Sequence, residues 1–343
     1  MAAYEKHARK LGELDQRFVA LLNERAGLLR EPGKADSPSA NLDAGLNAGS
    51  GFSQEDLACF LRHVDSLTRR AAGSTKSVSF LGPIYSYSYL AAVKYFGMAA
   101  NLNPVTTISA GFQEVARGQS DFAVVPIENS TDGRIVDTLG MFAKSPARIC
   151  GEVLLPIHHC LLANCDRSEI VEVQSKPQAI SQCRQWLAEH LPHAKLAEVS
   201  STATAAKQAA NTPSIAAIAS EEAGIHHGLQ VVDKNIEDNP QNLTRFAVIG
   251  NDKHAPTGND KTSLMFQLEH RPGALASAMV LFQKAGVNLT WIESFPMPNA
   301  PAEYLFFVEL EGHAATTQVE AAIEKLRQES PHLEVLGSYP RGI

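Results

Sequence analysis

Hydroxyl, amide and charged side chains gather at two places in this 343-residue chain, each beside a run with buried-strand character. One is Val124-Val125-Pro126-Ile127-Glu128-Asn129-Ser130-Thr131-Asp132-Gly133; the other is Asn242-Leu243-Thr244-Arg245-Phe246, which leads into Ala247-Val248-Ile249. An apolar β-type run that ends abruptly in a polar turn marks a strand end, and α/β sheets bind ligands at their strand ends. The groups suit work on an anionic molecule. Asn129 and Ser130 can donate to carboxylate oxygens, Arg245 can grip a carboxylate in a forked contact, and the Thr244 hydroxyl can polarise a departing group. Glu128 can orient Asn129 or, if desolvated, hold a proton near neutral pH; a purely structural role capping the turn is the alternative.

Holding these groups together requires a sheet. From Val78 onward strand and helix signals alternate, the mark of an α/β domain. Strands are expected over 78–81, 121–127, 153–163, 216–219 and 246–249, and helices over 88–96, 135–142, 178–190 and 203–211. Residues 255–260, with Pro256 and Gly258, read as a linker. Beyond it, a strand at 261–269, a helix at 274–285, strands at 287–295 and 304–311, a helix at 317–328 and a strand at 333–337 follow the βαββαβ order of a ferredoxin-like unit. Ahead of the α/β region, apolar residues at helical spacing predict amphipathic helices over 4–29 and 54–70, the second with Ser53 as N-cap. A Ser-, Asn-, Ala- and Gly-rich stretch at 37–53 joins them as a flexible connection. The expected domains are 1–73, 76–253 and 261–343.

Composition narrows the function classes. Hydrophobic residues make up 44% and charged residues 20%, the balance of a soluble globular protein. The formal net charge of −7, with no Lys/Arg-rich block, argues against a nucleic-acid partner, while a few cations in a pocket would still admit a small anionic substrate. No run reaches the roughly 18 apolar residues of a membrane span, and Glu5, Lys6, Arg9 and Lys10 stand where a signal peptide needs an apolar core. Cys59, Cys150, Cys160, Cys165 and Cys183 form no CxxC pair, and an odd number does not suit a disulfide framework. They are expected as buried or half-buried thiols of a cytoplasmic protein.

Taken together, the two polar strand ends resemble the active-site signatures of the prephenate dehydratases, and order and spacing agree from about Val78 to the C-terminus. The resemblance implies a bilobal, periplasmic-binding-protein-like α/β domain that converts prephenate to phenylpyruvate by decarboxylative dehydration. Such a pocket needs donors and a cation for two carboxylates and a hydrogen bond to the leaving hydroxyl. Aromatisation drives the reaction, so no metal or organic cofactor is expected. On this reading Thr244, Arg245, Glu128 and Asn129 form the catalytic set, with Ser130, Thr131 and Phe246 against the substrate.

The first loop departs from the family pattern Gly-Pro-x-Gly-Thr-(Tyr/Phe)-Ser, reading Gly82-Pro83-Ile84-Tyr85-Ser86-Tyr87-Ser88. Tyr85 in place of glycine argues against a positive φ there and puts a bulky ring at the pocket mouth. Ser86 keeps a hydroxyl, and Ser88 is expected to open the next helix, where free amides meet an anion. The resemblance also brings Gln182, Ser201 and Thr202 to the cleft, although Gln182 reads equally well as ordinary helix surface.

Leu268-Glu269-His270-Arg271-Pro272-Gly273-Ala274-Leu275 resembles the start of an ACT domain, a small ligand-sensing module. This implies phenylalanine as an allosteric effector, bound by Gly273, Ala274, Leu275, Glu293 and Ser294 where two such domains of a homo-oligomer, dimer or tetramer, meet. The family's Glu-Ser-Arg-Pro stands here as Glu293-Ser294-Phe295-Pro296, without its arginine. The N-terminal segment through Arg25 is similar to the first helix of helical chorismate mutases. Asp36 occupies the region where a catalytic lysine is expected, after Gly33-Lys34, and the second helix's Asp-x-x-Arg-Glu cluster is missing. A degenerate mutase segment follows. The rival readings are a true bifunctional mutase-dehydratase and a non-catalytic aromatic-acid sensor.

Overall fold

The structure, a computed structural model, describes residues 2–31, 51–131, 133–297 and 300–342. Most of the expected connection at 37–53, together with Gly33, Lys34 and Asp36, lies outside the described residues. The chain divides into two compact units, residues 1–78 with 93–101 and residues 79–92 with 102–343.

In the first unit, helix α1 (Ala2–Leu29) packs on helix α2 (Gln54–Ala72). Ser53 caps α2 by accepting from the Asp56 amide, as its sequence position predicts, and Gly73 ends the helix with a left-handed φ of 77°. The two helices are fastened by Arg25, which reaches Asp65 and Thr68, and by the Phe18 and Phe60 rings, stacked with centroids 5.8 Å apart. Asp65 also takes the Arg69 Nε at 2.7 Å. Leu11, Leu14, Leu21 and Leu28 remain exposed along α1.

The second unit holds three sheets. In chain order its elements begin with β1 (Ser77–Leu81), α3 (Tyr87–Phe96), β2 (Asn101–Val105), α4 (Ile108–Ala116), β3 (Phe122–Asn129), β4 (Gly133–Arg134), α5 (Val136–Phe142) and β5 (Arg148–Pro156). They continue through β6 (Cys160–Ala163), β7 (Glu172–Ser175), α6 (Pro177–Gln182), α7 (Arg184–His190), β8 (Lys195–Glu198), α8 (Thr202–Ala209), β9 (Ile215–Ala219), α9 (Glu221–His227) and β10 (Gln230–Asp233) to β11 (Leu243–Gly250). The first sheet has the order β2-β1-β3-β11-β5 with β4 paired to β3, and the second the order β10-β6-β9-β7-β8. Helices α6 and α7 bury their apolar side with Leu161, Val173 and Ile218 of the second sheet, while α8 and α9 pack with Leu162, Ala217 and Ala219. The chain thus enters the second lobe after β5 and returns to the first at β11. The alternating strand and helix signals predict the α/β character, and the family resemblance implies the bilobal plan.

Two expected elements are each broken in two. The strand read over 153–163 ends at Pro156 and restarts at Cys160 in the other sheet, so Ile157-His158-His159 is a crossover between lobes. The helix read over 178–190 is interrupted at Cys183, where φ −114° and ψ 17° leave the helical region. Periodicity runs through both breaks because the flanking residues are equally apolar.

The C-terminal region is β12 (Asp260–Gln267), α10 (Ala274–Ala285), β13 (Leu289–Met297), β14 (Ala300–Glu311), α11 (Thr317–Glu329) and β15 (Leu333–Pro340), the βαββαβ order of a ferredoxin-like unit. Its sheet, β13-β14-β12-β15, turns Leu264, Phe266, Val308 and Leu310 toward α10 and α11. The alternate residues Met265, Leu305, Phe307 and Tyr339 enter one core with Val125 and Ile127 of β3, Ile249 of β11, and Phe112 and Phe142 of α4 and α5. The linker therefore joins two sheets that share a core. Among the described residues no helix is long and apolar enough to cross a membrane. All five cysteines are free, and burial pushes the Cys160 and Cys183 thiols up from their ordinary range.

The shared core makes one glycine indispensable. A Cβ on Gly337 of β15 would lie 1.9 Å from the Ile149 carbonyl oxygen of β5, so the two backbones approach only because no side chain intervenes. Gly337→Ala should cost about 2–4 kcal/mol, in the range of overpacking and backbone strain. Chemical denaturation should register this as a lower midpoint for the unit that holds all three sheets.

Candidate active site

The site grows from the antiparallel pair β3 and β11. Thr244 lies opposite Asn129 and Arg245 opposite Glu128, but Phe246 lies opposite Pro126, so Ile127 is one residue too many on β3. Such a bulge interrupts the two-residue alternation of side chains. Ala123, Val125 and Ile127 point into the core shared with the C-terminal sheet, and unbroken alternation would send Asn129 after them. The bulge instead turns Glu128 to that face and sets Asn129 beside Thr244. On β11 the alternation is regular, so Ala247 and Ile249 follow Arg245 toward the core.

On the cleft face the hydrogen bonds have a direction, and one backbone amide fixes it. The Thr131 N–H donates to Asn129 Oδ1 at 2.9 Å, so the Asn129 side-chain amine must face the other way. It donates to Thr244 Oγ1 at 2.8 Å and to Asn242 Oδ1 at 3.0 Å. Asn242 Nδ2 in turn donates to Gln182 Oε1 at 3.0 Å. The same oxygen lies 3.0 Å from His159 Nε2, which is therefore the protonated ring nitrogen. The other nitrogen, Nδ1, lies 2.9 Å from the Tyr87 hydroxyl and the His158 carbonyl 2.8 Å from it, two acceptors that share the hydroxyl's single proton. Thr131 Oγ1 adds a contact to Asn242 Oδ1 at 3.3 Å.

The consequence falls on Thr244. Its oxygen already accepts from Asn129, and among the described residues its own proton is given to no partner. That proton is available to a bound molecule.

The crossovers between lobes carry this network. Glu237 on the return crossing accepts from the His159 backbone amide at 2.8 Å and holds His158 Nδ1 at 2.8 Å. Backbone bonds from Ile157 to Asn242 and from Ile236 to His159 tie the two crossings together. Tyr87, His159, Asn242 and Glu237 were not singled out by sequence reasoning as site residues. Asn242 opens the second polar stretch and Tyr87 stands at the Tyr/Phe position of the first loop, but neither was assigned a role; nothing local marks His159.

Other expected site residues serve as supports. Ser130 Oγ accepts from the Leu243 amide at 2.9 Å and pins the ends of β3 and β11. Ser86, not Ser88, stands before α3: its hydroxyl donates to the Leu81 carbonyl at 2.9 Å and accepts from the Tyr89 amide at 3.3 Å, while Ser88 is buried within the helix. Ser201 caps α8 through the Thr204 amide, and Thr202 is buried in its first turn. Phe246 lies in the core, 1% exposed, rather than in the cleft. Tyr85 does adopt a positive φ, 66°, contrary to expectation. Its ring is stacked 4.0 Å from His226 and tilted against Tyr89 at 5.1 Å, contacts that offset the strain of a left-handed backbone.

Arg245 and Glu128, expected as catalytic, occupy the opposite face. Arg245 Nη1 lies 2.6 Å from Glu309 and 3.3 Å from Glu152, its Nε 3.1 Å from Glu128, and its guanidinium carbon 4.9 Å from the centre of the Trp291 ring. Lys261 completes the cluster at 2.9 Å from Glu152. Burial works to lower the Arg245 pKa, and Glu309, Tyr339 and Glu152 outweigh it, holding the group above its ordinary value. Its Nε and Nη1 are held by carboxylates, and Nη2, without a partner among the described residues, is buried, so no fork reaches the cleft. At the expected effector site, Gly273 precedes α10 with φ 80°, followed by Ala274 and a partly exposed Leu275. Glu293 pairs with Arg134 of β4, Ser294 is exposed on β13, and Phe295 packs on the shared core.

His159 sets a pH dependence. Burial lowers its pKa, partly countered by the Gln182 hydrogen bond and the Glu237 charge. The unfolded chain therefore takes up the proton first, so the stabilisation is whole above about pH 6.5 and is lost as pH falls through the folded value. Denaturation midpoints measured between about pH 5 and 8 should fall on the acid side. In His159→Gln that fall should be reduced.

The sequence matches the prephenate dehydratase family profile over residues 78–254. It is 38% identical over 353 residues to a bifunctional chorismate mutase/prephenate dehydratase from Aquifex aeolicus, covering 98% of this chain and 97% of that one. The structure is similar to that of a prephenate dehydratase from Arthrobacter aurescens in complex with L-Phe, with a TM-score of 0.72 and 35% identity over 77% of this chain and 90% of the other. It is also similar to GqqA, described as a quorum quenching acylase, with a TM-score of 0.71 and 27% identity over 77% of this chain and 98% of that one. This chain belongs to the prephenate dehydratase family.

Proposed function

We propose that this protein is a lyase that converts prephenate to phenylpyruvate in phenylalanine biosynthesis, and that Thr244 is the group that acts on the leaving hydroxyl. The observation that carries the reading is the oriented Thr244 hydroxyl, its oxygen engaged by Asn129 and its proton unspent, at a strand end facing the cleft. In the reaction the ring carboxylate leaves as carbon dioxide, its bonding electrons enter the ring, and the carbon–oxygen bond at the opposite ring carbon breaks. A hydrogen bond from Thr244 stabilises the charge growing on that oxygen, which departs as water after taking a proton from solvent. Asn129 holds the threonine in register, and Asn242, Gln182, His159 and Tyr87 hold Asn129. The chemistry asks for no organic cofactor or metal.

Phenylalanine is the effector in this reading, received at the start of α10 around Gly273, Ala274 and Leu275. Support comes from the ACT-type order of the C-terminal domain and from the L-Phe complex of the Arthrobacter relative. The protein works as a homo-oligomer in the cytoplasm, and the exposed leucines of α1 with Phe60 and Leu67 of α2 offer an apolar surface to a second copy.

The full-length likeness to a bifunctional relative favours a second reading, in which residues 1–73 add mutase activity. Arg25 argues against it. It matches one of the several cations with which the helical mutases meet a dianion, and here it is spent on Asp65 and Thr68. Purified protein should therefore convert prephenate but leave chorismate essentially unchanged. Robust chorismate turnover that vanishes on deleting residues 1–73 would reverse this assignment.

Incubation with prephenate, followed by phenylpyruvate release, tests the main proposal. Thr244→Ala should lower kcat by about 100-fold or more while changing KM only a few-fold, because the hydroxyl matters as the bond breaks. Thr244→Ser should keep part of the rate. A Thr244→Ala enzyme with ordinary kcat would remove this residue from the mechanism.

A further inference from the structure

Two dipeptides each look both ways. In Glu128-Asn129 and Thr244-Arg245 one residue faces the cleft and its neighbour faces the C-terminal sheet. The bond from Arg245 to Glu309 is not a surface salt bridge. The Arg245 side chain is 9% exposed and that of Glu309 on β14 only 2%. Glu309 receives Arg245 Nη1 through both oxygens, at 2.6 and 2.7 Å. Trp291 of β13 covers the guanidinium face, and Lys261 of β12 stands 3.7 Å from Glu309. The C-terminal strand joins as well, through the Gly342 amide on Glu152 at 2.7 Å and the Tyr339 hydroxyl on Ser263 at 2.7 Å. Every strand of the C-terminal sheet thus contributes to, or adjoins, the enclosure of one arginine whose peptide neighbour is Thr244.

We propose that Arg245 is a positioning residue, and that its pairing with Glu309 is how the C-terminal domain sets the Thr244 hydroxyl. A shift of β14 moves the carboxylate that holds Arg245. Within one residue of extended backbone, that displacement reaches Thr244 and the 2.8 Å bond from Asn129 that orients it. Effector occupancy of the C-terminal domain would then change the chemical step rather than substrate capture. This inference rests on the dehydratase reading and deepens it.

The test is steady-state kinetics on the full chain with prephenate, for wild type, Glu309→Gln and Glu309→Asp, with and without phenylalanine, alongside calorimetry of phenylalanine binding. Glu309→Gln should lower kcat about tenfold with KM within about twofold, the split expected of a residue that acts only through a catalytic group. Glu309→Asp, which keeps the charge, should recover part of the loss. Phenylalanine should still bind Glu309→Gln but no longer alter its kcat. A purely structural role would lower the thermal midpoint and leave kcat per folded molecule, and its response to phenylalanine, as in wild type; that result overturns the proposal. A tenfold rise in KM at unchanged kcat would overturn it too, by making Arg245 a substrate ligand. Should Glu309→Gln fail to fold, Trp291→Leu perturbs the same guanidinium without removing a charge and should give the same kcat-against-KM split. Wild type inert toward prephenate would sink the dehydratase reading and this inference with it, whereas active wild type with indifferent variants sinks this inference alone.

Discussion

Antiparallel pairing of β3 with β11 is the constraint on which the rest of the molecule depends. It joins two segments more than a hundred residues apart, lines one side of the cleft with Asn129 and Thr244, and presents Glu128 and Arg245 to the C-terminal sheet. The bulge at Ile127 makes both assignments possible at once. Without the extra residue, Asn129 would be driven into an apolar core and Glu128 into the cleft, leaving Arg245 short of one carboxylate. Buried ion pairs give little net stability, yet losing one partner of such a pair costs about 3–5 kcal/mol. The Arg245 cluster is best understood as a device that fixes register between two sheets, with stability as a secondary effect.

The polar network on the other face is ordered by a different logic. Amide side chains are ambiguous in direction until something that can only donate is placed against them. The Thr131 N–H plays that part, and the orientation then passes through Asn129, Asn242 and Gln182 to a single tautomer of His159. Burial keeps that histidine neutral and pushes Tyr87 well above its ordinary value, so neither group trades its proton readily. Five side chains and one backbone amide therefore serve to present one hydroxyl.

The strand ends were legible in the sequence because apolar β-type runs that stop at Glu-Asn-Ser-Thr and start at Asn-Leu-Thr-Arg are local signals. The βαββαβ region was legible for the same reason. Which face each side chain takes was not, since a one-residue bulge leaves no mark in composition, and period-two reading places Asn129 with Ile127. Arg245 illustrates the limit. A guanidinium beside a hydroxyl at a polar strand end reads as a substrate grip, and only the shared core reveals Glu309, 64 residues away, as its partner. His159 is invisible for another reason: its role depends on a crossover that periodicity merged into one long strand, and Tyr87, visible in the first loop, has its role only through that histidine. Tyr85 was misjudged because a rule about glycine and left-handed backbone ignores stacking that can offset about 1 kcal/mol of strain.

Tyr85 also bears on how the lobes depend on each other. Its loop belongs to the first lobe and its stacking partner His226 to α9 of the second. The left-handed backbone at Tyr85 is thus offset in part by a contact that its own lobe does not supply. The conformation of that loop is in this sense a joint property of both lobes.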